Sequence, residues 1–230
     1  MPNIKPKEFI DSEYPFLVRS QFIPIIQAGI HVANSIFEEH AEFYYGSMAS
    51  NIRGRLFSYA IMLQFSPDLG VFNKAQYEIC TKKVNSFGYT IPEIIGSNSV
   101  LHIVKSISRN QLPTSSKYKV EYAKNNDEFD SGQMKFDIDF ESVVKGVSVE
   151  KKYILLLFGS KNNKTIDFAQ LVLPNSNFTN ILDEGVDLFT ELHVIKDSGE
   201  LNNKIREKEL VALKQSVIDK IKLDIADIEP

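Results

Sequence analysis

The stretch Lys152-Tyr-Ile-Leu-Leu-Leu-Phe158 contains the longest uninterrupted apolar run of the chain, and it decides the fold class. The turn-forming segment Gly159-Ser-Lys-Asn-Asn-Lys164 follows it, and a second apolar segment, Thr165–Leu173, ends at Pro174. Two such runs around a polar turn are typical of a β-hairpin. Because the first arm is apolar at every position after Lys152, it has no side suited to solvent. The sequence therefore predicts a hairpin over 152–173 whose first arm is a central strand covered on both faces.

The N-terminal third of the chain has the periodicity of helices. Apolar residues recur at every third or fourth position over residues 22–37, which predicts a helix over roughly 20–45. Gly46 interrupts the pattern, which resumes at Ile52 and stops before Pro67. We therefore expect an antiparallel pair of N-terminal helices.

The segments after Pro67 are shorter and rich in β-branched and aromatic residues, which is typical of strands. Three of them are predicted to join the hairpin in a mostly antiparallel sheet: Val71–Thr81, Lys83–Tyr89 and Val100–Ile107. Helical spacing returns between Leu210 and Ile225, so an amphipathic helix over 200–226 is expected to pack on the domain. The prediction is one α+β domain over residues 1–230, with a helix pair, a central sheet and a C-terminal helix.

Residues 108–135 have few apolar side chains and many that favour loops, such as Asn110, Pro113 and Gly132. Long connections are uncommon in compact domains and usually carry function. We therefore predict an exposed excursion over 108–135.

The overall composition is that of a globular protein, with 43% hydrophobic and 24% charged residues. The net charge of −4 is too small to indicate a polyanion as partner of the whole chain. The single cysteine, Cys80, cannot form an internal disulfide. The first residues do not resemble a signal peptide, and no apolar run approaches the about 20 residues of a membrane span. The expectation is a cytoplasmic protein that does not enter a membrane.

Common catalytic motifs are missing from the sequence. It has no phosphate-binding loop, no dinucleotide-binding glycine pattern and no Gly-x-Ser-x-Gly elbow. No two histidines are four residues apart, the spacing at which one helix face grips a metal. Common nucleotide enzymes and α/β-hydrolases are therefore not expected, nor is a cofactor.

The first half of the 105–135 segment is basic and its second half is acidic, although the chain as a whole is mildly acidic. Between positions 102 and 124, five cations stand against one acid, and two tyrosines are interleaved. These cations and tyrosines are Lys105, Arg109, Lys117, Tyr118, Lys119, Tyr122 and Lys124. Cations that neutralise phosphates beside rings that stack on bases are typical of nucleic-acid surfaces, and the same pattern also suits a solvated loop. The pattern supports the hypothesis of a protein or nucleic-acid partner bound through residues 105–135.

A second pattern indicates a different chemistry. In the metal-dependent nuclease fold, an Asp is followed on the next strand by Glu-x-Lys, so that carboxylates hold a divalent cation and the lysine orients or activates water. Here Asp137 and Asp139 precede Glu150-Lys-Lys152. The same spacing arises by chance in a hairpin with polar ends.

Two hypotheses follow from the sequence. The first is a non-enzymatic cytoplasmic interaction protein that needs no cofactor and binds its partner through residues 105–135. The alternative is a nuclease that depends on Mg²⁺ or Mn²⁺, with Asp137, Asp139, Glu150 and Lys152 as catalytic residues.

Overall fold

The computed structural model describes residues 4–40, 49–65, 77–84, 90–131 and 151–191, which form helices and a mixed six-stranded sheet. The predicted α+β class is therefore confirmed. The helices are α1 (Pro6–Glu13), α2 (Phe16–Glu39), α3 (Ala49–Leu63), α4 (Lys117–Ala123) and α5 (Asp127–Ser131), with a 3₁₀ turn at Lys124–Asn126. The strands are β1 (Glu78–Lys83), β2 (Thr90–Ile95), β3 (Ser99–Lys105), β4 (Lys152–Gly159), β5 (Phe168–Val172) and β6 (Val186–Asp187).

Strands β4 and β5 form the predicted hairpin, with Leu155 opposite Val172. From its second residue onward, β4 is buried. Its side chains alternate between two apolar clusters, because successive residues of a strand point to opposite faces. Ile154 and Leu156 join the cluster that contains residues of α1 and α2, whereas Tyr153 and Leu155 join the cluster that contains residues of α4. The prediction of a central strand covered on both faces is confirmed.

The strands lie in the sheet in their order along the chain, from β1 to β6. Four of the five pairings in the described sheet are antiparallel, and β3 and β4 are parallel. Parallel neighbours cannot be joined by a tight turn, so the chain must cross over one face of the sheet. The described part of this connection, residues 106–131, contains most of the predicted excursion.

Helices α2 and α3 lie in the region of the predicted N-terminal helix pair. Helix α2 begins at Phe16, earlier than predicted, because Pro15 in an extended conformation precedes its first turn. The two helices approach each other closely at Gly29. A Cβ atom at this position would lie 2.7 Å from the Cα atom of Ile61. The absence of a side chain at Gly29 therefore sets the distance between α2 and α3.

By length and composition alone, α2 could also cross a membrane. The core helix of a soluble protein passes the same test. In this fold, Phe22, Ile26 and Ile30 of α2 are buried in the cluster that includes Ile154 of β4. The apolar face of α2 thus forms the core between the helices and the sheet.

Two strand predictions differ from the structure. The sequence analysis predicts no strand at β2, whose short run contains Pro92, a residue that is disfavoured within strands. Of the segment Val71–Thr81, predicted as a strand, the structure describes the part from Tyr77 onward, and β1 begins at Glu78. Most of the segment Lys83–Tyr89 and the C-terminal helix predicted over 200–226 lie outside the described residues.

The excursion predicted over 108–135 is a loop only in part. Residues 117–131 form α4, the 3₁₀ turn and α5, and Ala123 and Asn126 are fully buried. Low apolar content predicted a loop, but a crossover has to cover the sheet, so a short helix packs there. The prediction is corrected for residues 117–126, whereas residues 107–111 are exposed.

Asn126 ties the crossover to β4. Its side-chain amide donates to the carbonyl oxygens of Tyr153 at 2.9 Å and Pro174 at 2.8 Å. Its Oδ1 accepts a hydrogen bond from the backbone N–H of Tyr153 at 2.8 Å. Because β5 pairs with β4 only from Leu155 onward, Asn126 takes the place of a neighbouring strand at Tyr153.

We expect Asn126→Ala to lower the free energy of unfolding by about 2–4 kcal/mol, because it leaves buried backbone groups without partners. Asn125→Ala is the matched control, since Asn125 is half-buried and donates one hydrogen bond, to the carbonyl oxygen of Lys151. Its loss should stay below about 1.5 kcal/mol. Urea denaturation measures both changes, and equal losses would contradict the role assigned to Asn126.

Candidate functional site

The pairing between β2 and β3 stops at Pro92. All six residues of β2 pair with β1, but only Glu93–Ile95 pair with β3. Pro92 has no N–H group to donate, and in the same register it would stand opposite Ile103. A cavity of about 240 Å³ opens here, and both Pro92 and Ile103 line it. The break in the sheet therefore creates the site.

The walls of this cavity are mainly apolar. Helix α2 contributes Ile30, and α3 contributes Phe57 and Ile61. The sheet contributes Ile103 from β3 and Phe158 from β4. The cavity thus lies between the helix layer and the sheet, where an apolar group of a ligand would be shielded from water.

Polar side chains complete the lining. Lys105, at the exposed end of β3, donates to Oδ1 of Asn163. Lys119 of α4 is only 8% exposed and donates to the carbonyl oxygen of Thr114 at 2.7 Å. Burial lowers the pKa of both lysines. The buried hydroxyl of Ser160 has no hydrogen-bond partner among the described residues.

A buried polar network lies beside the cavity. His102 of β3 is fully buried, and its Nε2 lies 2.7 Å from Oε2 of Glu93 on β2. Its Nδ1 lies 2.9 Å from the hydroxyl of Tyr153 on β4. The hydroxyl of Tyr122 on α4 donates to the same Glu93 oxygen at 2.9 Å. Three strands and the crossover helix therefore meet in one hydrogen-bonded group.

The pKa shifts in this network define its protonation. Burial raises the pKa of Glu93, but the hydrogen bonds from His102 and Tyr122 outweigh burial and lower it to about 2. Burial lowers the pKa of His102, and burial raises that of Tyr153. These directions, together with the partners, assign Nε2–H of a neutral imidazole as donor to Glu93 and the Tyr153 hydroxyl as donor to Nδ1.

The network also reaches the sheet edge at β1. Cys80 Sγ lies 3.5 Å from Oε1 of Glu93. Burial and the nearby Glu93 carboxylate raise the pKa of Cys80 to about 11, so the thiol is protonated at neutral pH and is a weak nucleophile. Lys82 lies over the ring of Tyr122, at 5.2 Å from its centroid.

Tyr118 connects the network with the cavity. Its ring centroid lies 5.9 Å from that of His102, and the same residue lines the cavity. A ligand in the cavity would therefore contact a side chain that packs on His102.

The structure separates the basic residues of the 105–135 segment. Lys105, Tyr118 and Lys119 line the cavity, and Tyr122 belongs to the buried network. The other cations lie elsewhere: Arg109 pairs with Asp187, Lys124 pairs with Glu121, and Lys117 is exposed on α4. The residues of the predicted basic surface therefore have different surroundings, namely the cavity, the buried network, ion pairs or solvent.

Of the residues in the nuclease hypothesis, Lys152 lies within the described part of the chain. Its Nζ donates to the carbonyl oxygen of Asn125 at 2.7 Å and pairs with Glu128 at 3.0 Å. Asp137, Asp139 and Glu150 lie outside the described residues. Among the residues that are described, no group of three or more His, Cys, Asp or Glu side chains is placed to hold a metal ion.

Sequence reasoning missed Glu93, His102, Pro92 and Ser160. A usable signal for the first two was present, because Gly96-Ser-Asn-Ser99 is a turn sequence between two apolar runs. A hairpin around this turn places Glu93 opposite His102, as observed. No local sequence pattern marks Ser160, because its place in the cavity wall is set by the tertiary fold.

No known protein family, curated protein or solved structure matches this chain. The functional argument therefore depends on the geometry of the cavity and the network.

The buried network predicts a pH dependence of stability. In the folded protein the pKa of His102 is lowered, whereas in the unfolded chain it returns to its ordinary value of about 6.5. Below that pH the unfolded state binds one more proton, so stability should fall as pH decreases from about 6.5 toward the folded pKa. Urea denaturation between about pH 7 and pH 5 measures this slope.

His102→Gln should flatten this slope, whereas His31→Gln, at an exposed histidine, should retain it. An NMR titration of the wild-type imidazoles provides a readout that does not depend on the variants folding. If the His102 resonance titrates at or above about 6.5, the protonation assigned to the network is wrong.

Proposed function

We propose that this chain is a binding protein whose ligand is a small, partly apolar organic molecule held in the cavity beside Pro92. The observation that carries the proposal is the cavity itself. Its walls are apolar and a few polar side chains converge on it, which is the usual composition of ligand sites. Its volume of about 240 Å³ suits a ligand somewhat smaller than those in pockets of about 300–1,000 Å³.

The proposal keeps residues of the 105–135 segment at the binding site, but it replaces the predicted protein or nucleic-acid partner with a small molecule. Three residues of this segment, Lys105, Tyr118 and Lys119, line the cavity. A polyanion would need a row of free cations, but Arg109 and Lys124 already pair with acidic side chains. A compact ligand needs only the residues at the cavity.

Binding without catalysis is the activity that the side chains favour. His102 is fully buried and both ring nitrogens are hydrogen bonded, so a substrate atom has no access to it. The raised pKa of Cys80 keeps its thiol protonated. The polar network beside the cavity therefore acts as a support for its wall.

Octan-1-ol is a suitable first probe, because it has an apolar chain and no charge. We expect saturable shifts of the methyl NMR signals of Ile30, Ile61 and Ile103 on titration. Ser58→Phe should weaken binding at least tenfold, since Ser58 lines the cavity and a phenyl ring would occupy it. Ser20→Phe, on α2 outside the cavity lining, should leave the affinity unchanged. Absence of saturable shifts in the folded wild-type protein would contradict the proposal.

A single-stranded oligonucleotide at low salt tests the broader hypothesis of a nucleic-acid partner. We expect no binding, because Arg109 and Lys124 already pair with acidic side chains. Binding that is lost in the double variant Lys117→Ala, Lys124→Ala would favour a polyanion partner over the small ligand.

A further inference from the structure

We infer that the ligand of this cavity is an organic anion, a carboxylate on a short apolar chain, recognised by Lys105 and Lys119. The inference rests on the proposed function, because it specifies the chemistry of the molecule that the cavity binds.

The charge of the lining supports an anion. Lys105 and Lys119 both line the cavity, and no acidic residue stands among the described lining residues. A site that contains cations and no acidic residue attracts an anion, and the attraction is strongest where apolar walls exclude water. The apolar walls account for the chain of the ligand, and the lysines account for its head group.

Lys119 carries the argument furthest. The residue is 8% exposed, yet in the described part of the chain its ammonium group pairs with no carboxylate, and it donates to the neutral carbonyl oxygen of Thr114. Lysine is almost never buried to this degree unless it is paired, because removing an ammonium ion from water is unfavourable. The faces of Tyr118 and Phe178, at 5.8 and 5.9 Å, attract the cation but do not neutralise it. A bound carboxylate would supply the missing charge.

Lys105 presents a second cation at the more exposed side of the same lining. Its hydrogen-bond partner is the neutral Oδ1 atom of Asn163, and no described carboxylate forms an ion pair with it. Asp167 acts on Lys105 from a distance and raises its pKa less than burial lowers it. Two of the three ammonium protons of Lys105 therefore remain for a ligand or water.

The orphan hydroxyl of Ser160 is an independent sign that a partner belongs here. Ser160 lines the cavity, is 5% exposed, and its Oγ has no hydrogen-bond partner among the described residues. A buried polar group without a partner destabilises the folded state. A ligand oxygen that accepts this hydrogen bond would recover that loss.

A carboxylate fits this set better than a phosphate. Phosphate sites commonly use the paired N–H groups of arginine or several backbone N–H groups, and no arginine is among the described lining residues. Two lysines and one hydroxyl match the smaller charge and fewer acceptor positions of a carboxylate. The limited volume favours a short chain.

The test compares four probes that share an eight-carbon chain: octanoate, octan-1-ol, octylammonium and octyl phosphate. Binding is followed by calorimetry and by the methyl NMR signals of Ile61 and Ile103. We expect octanoate to bind at least tenfold more tightly than octan-1-ol and octylammonium to bind most weakly. The preference for octanoate should decrease with salt, because it depends on charge.

The lysines are tested by Lys119→Met and Lys105→Gln, which retain most of the side-chain length. Each should reduce the preference for octanoate over octan-1-ol at least threefold, because each variant removes one cation from the cavity lining. Lys117→Gln is the matched control, because Lys117 is exposed on the same helix as Lys119 but does not line the cavity. Saturable octan-1-ol binding in each variant shows that its cavity still forms, so the preference between the two probes can be compared.

The outcomes separate the inference from the proposed function. If octan-1-ol and octanoate bind equally well, the cavity binds ligands but the anion inference is wrong. If octyl phosphate binds more tightly than octanoate, the head group is a phosphate and the carboxylate assignment is wrong. If none of the probes binds the folded protein, both proposals are wrong.

Discussion

The parallel pairing of β3 with β4 is the constraint on which the rest of this structure depends. It joins two buried strands in the middle of the sheet, and it obliges the intervening chain to cross over one sheet face. The crossover brings α4 over His102 and Tyr153, and Asn126 then fixes its end to β4. Without this connection, neither the buried network nor the wall of the cavity beside Tyr118 would exist.

A second constraint acts on the other side of β3. Pro92 can take part in the ladder with β1 but not in the ladder with β3, so the sheet is continuous on one side of β2 and interrupted on the other. The next residue, Glu93, returns to the ladder and points at His102. One proline therefore places a cavity and a rigid polar support next to each other, and a ligand site needs both an open volume and walls that keep their positions.

The sequence predicts the parts of this fold that depend on local pattern. The hairpin at 152–173 was predictable because its apolar run and polar turn are adjacent in the chain, and α2 because its apolar residues repeat with helical spacing. The crossover helix α4 was not predictable from local pattern. Its few apolar side chains, such as Val120 and Ala123, hold a helix in place only when they can pack against a sheet face. Candidate residues were found where charge was locally unusual, as at Lys105 and Lys119. Ser160, 41 positions beyond Lys119, lines the same cavity as these two lysines. The order of the strands in the sheet brings the three residues together, and no local sequence pattern shows that order.

Two sets of buried polar residues lie near Tyr118, and they differ in whether their hydrogen-bonding and charge requirements are met within the protein. The network of Glu93, His102 and Tyr153 is complete, since each buried donor and acceptor that defines it has a partner. Such a network stabilises a single arrangement of the strands, and its hydrogen bonds are already made within the protein. Lys119 and Ser160 are buried to a similar degree, but among the described residues the Lys119 ammonium group pairs with no carboxylate and the Ser160 hydroxyl has no hydrogen-bond partner. Since folding does not favour uncompensated polar groups, their place on the wall of an apolar cavity is best explained by a ligand that completes them.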